Sequence, residues 1–349
     1  MPKLFFLLSG ENPTMPASEA KAILETEGYP FIVTELMDQV LRLEAEEESV
    51  KVLPIRSAFT RLCARELFVS NANHEDIAKT AAEVDFKSVL NSGESFVVRI
   101  NRIKNYADQA LNTMELEIRL GRQILKLAPE AKVNLKNPDK TFIGIITDEK
   151  LVFGLKLTEV SSKTFSERRP RKKPFFHPSA MPSKLARCMV NLAHAKVEGT
   201  MLDPFCGTGS SLIEATYIGC HAIGVDAAKR MVYGCRKNLR FFSIDAEGLV
   251  LADARKLPFF KVDCMVTDPP YGRSASTLKS TTRELVHDVL KSAYSLLPDG
   301  HRICIASPKT LNIKAIGIGI GFKHVESHFA YVHSTLTREV AVFEKVPKT

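Results

Sequence analysis

An acid, two prolines and a tyrosine, Asp268-Pro269-Pro270-Tyr271, close the apolar run CMVT at 264–267. Two adjacent prolines can neither continue a strand ladder nor enter a helix interior, so the chain must break there. The break is rigid and carries a carboxylate, which accepts N–H bonds, beside an aromatic ring. Three more acids end apolar runs of the same kind: Asp203 in TMLDPF, Asp226 in HAIGVD and Asp253 in GLVLAD. In an open α/β sheet the carboxyl ends of the strands form the ligand crevice. One terminal acid would mean little; four in successive units mark a binding site.

The first of these acids opens Asp203-Pro204-Phe205-Cys206-Gly207-Thr208-Gly209. Gly207 and Gly209 suit a tight turn whose backbone approaches a ligand just before a helix starts. A dinucleotide fingerprint would need a third glycine where Leu212 stands. Asp226 comes 23 residues after Asp203, about where an acid binds ribose hydroxyls in nucleotide folds. Plain structural alternatives are a ligand-free turn at the glycines, a helix N-cap at Asp226 and a surface turn at Asp253.

The elements that must position these residues alternate. TMLDPF, HAIGVD, GLVLAD, DCMVTD and RICIAS predict five short strands, and SSLIEATYIG, AAKRMVYGCRKNLRFF and TRELVHDVLKSAYSLL predict helices. This rhythm implies a mostly parallel sheet with helices on both faces from about residue 176 to 349. The last 28 residues hold two strands in a hairpin. Residues 1–54 predict a small α+β unit: a strand at 3–8, a helix at 16–28 and a strand pair at 31–44. Residues 55–160 predict a second one, with the strand SFVVRINRI, the helix MELEIRLGRQILKLA and paired strands in KTFIGIITDEKLVFGLKL. Between the halves, 161–175 holds five Lys/Arg within 168–173 among prolines. It predicts a solvated linker without a packed core, able to contact phosphates.

The run D-x-x-x-G-x-G at 203–209 resembles the cofactor loop of class I S-adenosylmethionine-dependent methyltransferases. Asp268-Pro269-Pro270-Tyr271 resembles the (D/N)-P-P-(Y/F/W) motif of amino-methyltransferases. The resemblance implies a Rossmann-like α/β domain with S-adenosyl-L-methionine as cofactor. Asp203 would face its methionine end, Asp226 its ribose and Asp253 its adenine amine, with Ala254 offering a backbone N–H. The segment HPSAMPSKLARCMVNLA resembles the stretch that covers the methionine moiety, which adds His177 and Pro178. Asp268 and the Pro269 carbonyl would each accept one N–H of a planar amine and aim its lone pair at the methyl group. Tyr271 would stack on a base turned out of its helix. VNLKNP followed by paired strands resembles the THUMP RNA-binding module, preceded by a ferredoxin-like unit. DPPYGRSAS, with Arg273 and Ser274, resembles the archaeal and eukaryotic tRNA guanosine-N2 methyltransferases acting at position 10. Relatives of that kind often work with a small zinc-binding activator protein.

Composition agrees with such a partner. The chain carries 48 Lys/Arg against 40 Asp/Glu over 349 residues. Residues 166–349 hold 27 against 16, whereas residues 1–50 hold 3 against 10. The basic excess suits a polyanion; the acidic first 50 residues do not suit direct tRNA contact. Seven scattered cysteines without a CxxC pair suggest neither a disulfide framework nor a zinc site. No apolar run reaches membrane-spanning length, and a cytoplasmic location is expected. Rival functions are guanosine methylation elsewhere in tRNA or rRNA, a DNA adenine or protein glutamine methyltransferase, and an RNA-binding scaffold without catalysis.

Overall fold

The computed structural model describes residues 1–104, 111–245, 248–271, 281–334 and 336–347. Arg273 and Ser274 lie outside the described residues. Two compact units result. The first comprises Met1–Pro13, Tyr29–Pro54 and Thr60–Ser161; the second comprises Thr14–Gly28, Ile55–Phe59 and Ser162–Thr349.

In chain order the first half contains β1 (Lys3–Leu8), α1 (Met15–Thr26), β2 (Phe31–Met37), β3 (Val40–Ala45), α2 (Leu53–Arg56), β4 (Thr60–Asn71), α3 (His74–Ala82) and β5 (Ser95–Arg102). Then come α4 (Thr113–Leu127), β6 (Lys132–Val133), β7 (Lys140–Thr147) and β8 (Lys150–Glu159). The eight strands make one sheet in the order β2-β3-β1-β4-β8-β7-β5-β6. Strand β1 pairs with both β3 and β4, so segments 1–54 and 55–160 share this sheet. The twelve-residue β4 escapes a pattern search because Arg61, Arg65 and Glu66 interrupt its apolar positions. Two of these charges are matched in the sheet: Arg65 pairs with Glu47, and Glu66 with Arg42. Helix α4 forms where the sequence predicts it. Asn112 Oδ1 caps it by accepting from Met114 N at 2.9 Å, and Leu116, Leu120 and Ile124 recur every fourth residue on its buried face.

The second half contains α5 (Lys163–Glu167), α6 (Ser183–Leu192), β9 (Thr200–Asp203), α7 (Ser210–Thr216), β10 (His221–Asp226), α8 (Lys229–Phe241), β11 (Gly248–Leu251) and β12 (Cys264–Thr267). It ends with α9 (Thr282–Leu296), β13 (Arg302–Pro308), α10 (Ile313–Ile320), β14 (Phe322–His333) and β15 (Leu336–Lys345). The sheet order is β11-β10-β9-β12-β13-β15-β14. Strands β11 to β13 run parallel, and β15 enters antiparallel between β13 and β14. One apolar cluster covers each face, which the short, continuously apolar strands require.

Helix α1 belongs to this second unit, whereas its position in the chain had placed it with the N-terminal strands. Its Glu19 is fully buried. That carboxylate accepts from Ser57 Oγ at 2.9 Å, Phe59 N at 2.8 Å and Asn191 Nδ2 of α6 at 2.9 Å. Burial raises its pKa against the pull of these bonds.

The linker is also more ordered than its composition predicts. Phe165, Arg168 and Lys173 are buried. Arg168 Nε and Nη2 bond the two oxygens of Glu214 on α7, at 2.8 and 3.0 Å, while its guanidinium packs between the rings of Phe165 and Tyr217. Arg187 of α6 reaches the same carboxylate at 3.0 Å. Basic residues were read as a bar to packing, but an arginine brings an apolar stem and a flat face, and Glu214 supplies the countercharge. Arg169, Arg171 and Lys172 stay exposed.

Candidate active site

Strand β9 delivers Asp203 to the carboxyl edge of the sheet, where the chain turns through Gly207 and Gly209 into α7. Both glycines have left-handed backbones, with φ of 51° and 82°. A Cβ on Gly209 would lie 2.6 Å from Cys235 Sγ, so close packing against α8 also demands glycine. Asp226, at the end of β10, pins this turn. Its Oδ2 accepts from Gly207 N at 3.2 Å and its Oδ1 from Ala228 N at 2.8 Å, and burial raises its pKa.

Asp203 itself is only 4% exposed. Its Oδ1 accepts from Phe205 N at 3.0 Å and from Thr267 Oγ1 at 2.9 Å, and its Oδ2 from Ser211 Oγ. Burial pushes the carboxyl up to about 7 despite these three bonds, and the neighbouring Asp268 charge pushes the same way. Both oxygens thus have protein partners, and Asp203 braces the turn and the end of β12 as well as lining the cleft.

The cleft has a volume of about 430 Å³. Of the residues picked out from sequence, Asp203, Phe205, Cys206, Gly207, Thr208 and Asp268 line it. Ser179, Ala180 and Met181, within the segment that resembles the methionine cover but not singled out in it, line it too, as do Ser210, Ser211 and Met231, which sequence reasoning missed. His177 and Pro178 sit one turn away from this lining. His177 Nδ1 and Ser179 Oγ are hydrogen-bonded at 2.7 Å, and the His177 carbonyl accepts from Ala180 N at 2.9 Å, so the histidine builds the turn that presents Ser179 to Met181. Pro204 and Gly209 shape the loop from behind. Asp253 stands apart from the lining, in an ion pair with Arg255, whose hydrogen bonds hold its carboxyl below the usual range. Ala254 beside it is buried.

Asp268 begins the rigid break after β12. Its side chain is 16% exposed, and its Oδ2 meets Arg338 Nη2 at 3.0 Å. Burial raises its pKa, and Arg338 opposes that. Its Oδ1 is buried and has no hydrogen-bond partner among the described residues. Such an acceptor costs about 1–3 kcal/mol if left unmet, so the site is built to receive a donor. Pro269 is buried, and Pro270 and Tyr271 are half-buried. The Tyr271 hydroxyl accepts from Arg338 Nε, and the guanidinium carbon lies 5.8 Å from the ring centre. Burial raises the Tyr271 pKa, so the phenol stays protonated. Arg338 is the residue that the motif search overlooked: it lies 67 positions beyond Tyr271 in β15. Its one sequence signal is a place in the charged pair Arg338-Glu339 just before the apolar run Val340–Phe343.

This arrangement fits S-adenosylmethionine. Left-handed glycines bring the backbone to the cleft, carboxylates edge it, and Asp268, whose Oδ1 has no partner among the described residues, lines it.

Comparison with known proteins agrees. Residues 170–338 match the family model described as "RMKL-like, methyltransferase domain". Residues 73–237 match a DNA methylase model, a span that stops short of Asp268. A tRNA (guanine(10)-N2)-dimethyltransferase of Methanothermobacter thermautotrophicus is 36% identical over 99% of this chain and 100% of its own. One from Pyrococcus abyssi is 34% identical over 80% of this chain and 82% of its own. Among solved structures, TrmN from Thermus thermophilus matches with a TM-score of 0.53 over 99% of this chain and all of its own, at 21% identity. SMU.472, a putative methyltransferase complexed with SAH, also scores 0.53 over the whole of both chains, at 15% identity. These two share the fold. With more than a third of its residues identical to the Methanothermobacter thermautotrophicus relative over nearly the whole of both chains, this chain belongs to the tRNA (guanine(10)-N2)-dimethyltransferase family.

Proposed function

We propose that this protein methylates the N2 amine of guanosine 10 in tRNA, twice, with S-adenosylmethionine as donor. The observation that carries this reading is the buried Oδ1 of Asp268, without a partner among the described residues, on a side chain that lines the same cleft as the 203–209 turn. Bound in that cleft, S-adenosylmethionine supplies a methyl group on a sulfonium centre.

The protein's own residues do the rest. A guanine amine is a weak nucleophile because its lone pair is delocalised into the ring. Asp268 Oδ1 accepts one N–H and the Pro269 carbonyl the other, which draws the nitrogen toward tetrahedral geometry. The rigid prolines hold both acceptors in place beforehand, so orientation and fixed charge lower the barrier. Ser179 to Met181, Phe205 to Thr208, Ser210 and Met231 enclose the cofactor. Asp226 steadies the glycine turn. Asp253 serves the adenine end only after exchanging its bond to Arg255. As the nitrogen bonds the methyl carbon, the C–S bond of the sulfonium breaks, and the nitrogen gives up one proton to Asp268 or to water; one N–H then remains, enough for a second round with a single acceptor.

The exposed Arg169, Arg171 and Lys172, and the basic excess of residues 166–349, support a nucleic-acid substrate. We assign a ferredoxin-like role to residues 1–54 and a THUMP role to 55–160, both supported by sequence resemblance, although the two segments share one sheet. A small zinc-binding activator rests on resemblance alone, and a cytoplasmic location on the scattered cysteines and the lack of a membrane-length apolar run in the sequence. No helix among the described residues is long and apolar enough to cross a membrane.

The test is to incubate the purified chain with labelled S-adenosylmethionine and unmodified tRNA transcript, digest the RNA and identify the nucleoside by mass spectrometry. N2,N2-dimethylguanosine that vanishes when guanosine 10 is replaced by adenosine supports chemistry and target together. Product that survives the replacement keeps the chemistry and moves the target. Product formed only after adding an activator protein makes that partner obligatory.

A further inference from the structure

A carboxylate offers two equivalent oxygens, and a half-turn of the side chain exchanges them. In Asp268 that symmetry is broken. Arg338 takes Oδ2, and Oδ1 alone is left for a donor. The same guanidinium uses Nε to hold the hydroxyl of Tyr271, three residues on. One planar group therefore fixes both ends of the Asp-Pro-Pro-Tyr break. Arg338 can do this because β15 pairs with β13 and β14 along its length, which leaves its backbone no freedom. Lysine is not its equivalent, since an ammonium lacks the rigid planar fork that spans both groups.

We propose that Arg338 is a positioning residue for methyl transfer: it selects Oδ1 of Asp268 as the oxygen that meets the amine, keeps that carboxylate ionised, and sets the distance from Asp268 to the Tyr271 ring. The inference rests on the function proposed above. Its ionisation part follows from what surrounds Asp268. Burial opposes its charge, while Arg338 from β15 and a hydrogen bond from the Tyr271 hydroxyl favour it; the other titratable neighbour, Asp203 at the end of β9, is itself pushed up to about 7 and so carries its proton while Asp268 titrates. A protonated Asp268 would present a donor, or a poor acceptor, to the incoming N–H. Removing Arg338 should move the protonation of Asp268 to higher pH and take the acid limb of the rate with it.

The test uses the full chain, S-adenosylmethionine and the unmodified tRNA transcript. Single-turnover rates are measured against pH for wild type, Arg338→Met and Arg338→Lys, with cofactor Kd and melting temperature alongside. Arg338→Met should slow transfer about a hundredfold and move the acid limb up by about one pH unit or more, with cofactor Kd nearly unchanged. Arg338→Lys should bring the acid limb back and stay about tenfold slow, because charge returns without the fork. A folded Arg338→Met variant with the wild-type rate overturns the proposal, as does a slowed one whose pH profile has not moved. Should Arg338→Met not fold, Arg338→Lys decides: the wild-type rate in that variant overturns the proposal. The wild-type product separates this from the functional reading. A methylated amine other than N2-guanosine removes that reading, while the pH shift still judges Arg338.

Discussion

Thr267 Oγ1 donates to Asp203 Oδ1 at 2.9 Å, which ties the last residue of β12 to the last residue of β9. The bond joins the cofactor turn to the amine-holding break, since Asp268 is the next residue along. It is made by a buried carboxyl whose pKa is raised to about 7.

That shift has a signed consequence for stability. The native state keeps its proton on Asp203 up to about pH 7, while the unfolded chain releases it near pH 4. Stabilisation by this group is therefore full below pH 4 and is lost as pH rises through 7. Asp203→Asn keeps a neutral side chain throughout. Between pH 5 and 8, wild type should lose about 2–3 kcal/mol relative to that variant. Urea denaturation at the two pH values reads the difference directly.

Asp268→Ala removes the acceptor and leaves Arg338 with its charge buried and unmatched, so rate and stability should both fall. Asp268→Asn separates the two effects, because its one amide oxygen can still accept from Arg338 and spare part of the stability, while its amide nitrogen is then left facing the incoming amine. We expect no detectable methylated nucleoside from the alanine variant, and less than about a hundredth of the wild-type rate from the asparagine variant. Cofactor binding, followed by calorimetry, should stay nearly intact in both.

Gly209→Ala combines an unfavourable left-handed backbone with a Cβ 2.6 Å from Cys235 Sγ. The backbone alone costs about 1–2 kcal/mol, and the clash must move α8 or the turn. Cofactor affinity should drop by roughly tenfold or more, since 1.4 kcal/mol at the cradle already gives that factor. An unchanged Kd would show that the turn is not the cofactor cradle.

Replacing the exposed Arg169, Arg171 and Lys172 with glutamine should weaken tRNA binding without touching the cofactor. If all three meet phosphates, the slope of log K against log salt falls by about 2. Arg168 and Lys173, bound to Glu214 and Ser210, should give a different signature: loss of stability with little change in that slope.

A chain limited to residues 162–349 lacks Glu19, Arg56 and Phe59. Asn191 would lose its bond to Glu19, Arg187 its bond to the Ile55 carbonyl, and the apolar side of α6 its cover. Such a fragment should melt well below the full chain or fail to fold. Circular dichroism of the two gives the answer.

Much of the catalytic half is legible in sequence because its signals are local. Each of five strands is a short apolar run, and four of the runs lead into an acid, two of them followed at once by a proline. What escapes is long-range. Arg338 meets Asp268 only because β15 inserts beside β13. Ser179 to Met181 reach the cleft, rather than His177, because a side-chain bond closes the turn between them. Asp253 reads as a ligand, yet Arg255, two residues on, already holds it. The linker misleads because its charges are counted without their partner, Glu214, 46 positions beyond Arg168.

The threading of α1 also has a consequence in time. Glu19 and Asn191 are 172 positions apart. At about 5–20 residues per second of synthesis, α1 leaves the ribosome roughly ten to thirty seconds before α6 exists to receive it. Throughout that interval the strands of the first sheet appear one after another, while Glu19 lacks Asn191 and Met15 and Ala22 lack the α6 residues of their apolar cluster. The nascent chain thus carries, near its leading end, a helix whose carboxylate and part of whose apolar face wait for partners through much of its manufacture, and the enzyme half can close only when the oldest part of the molecule is drawn back onto one of the younger ones.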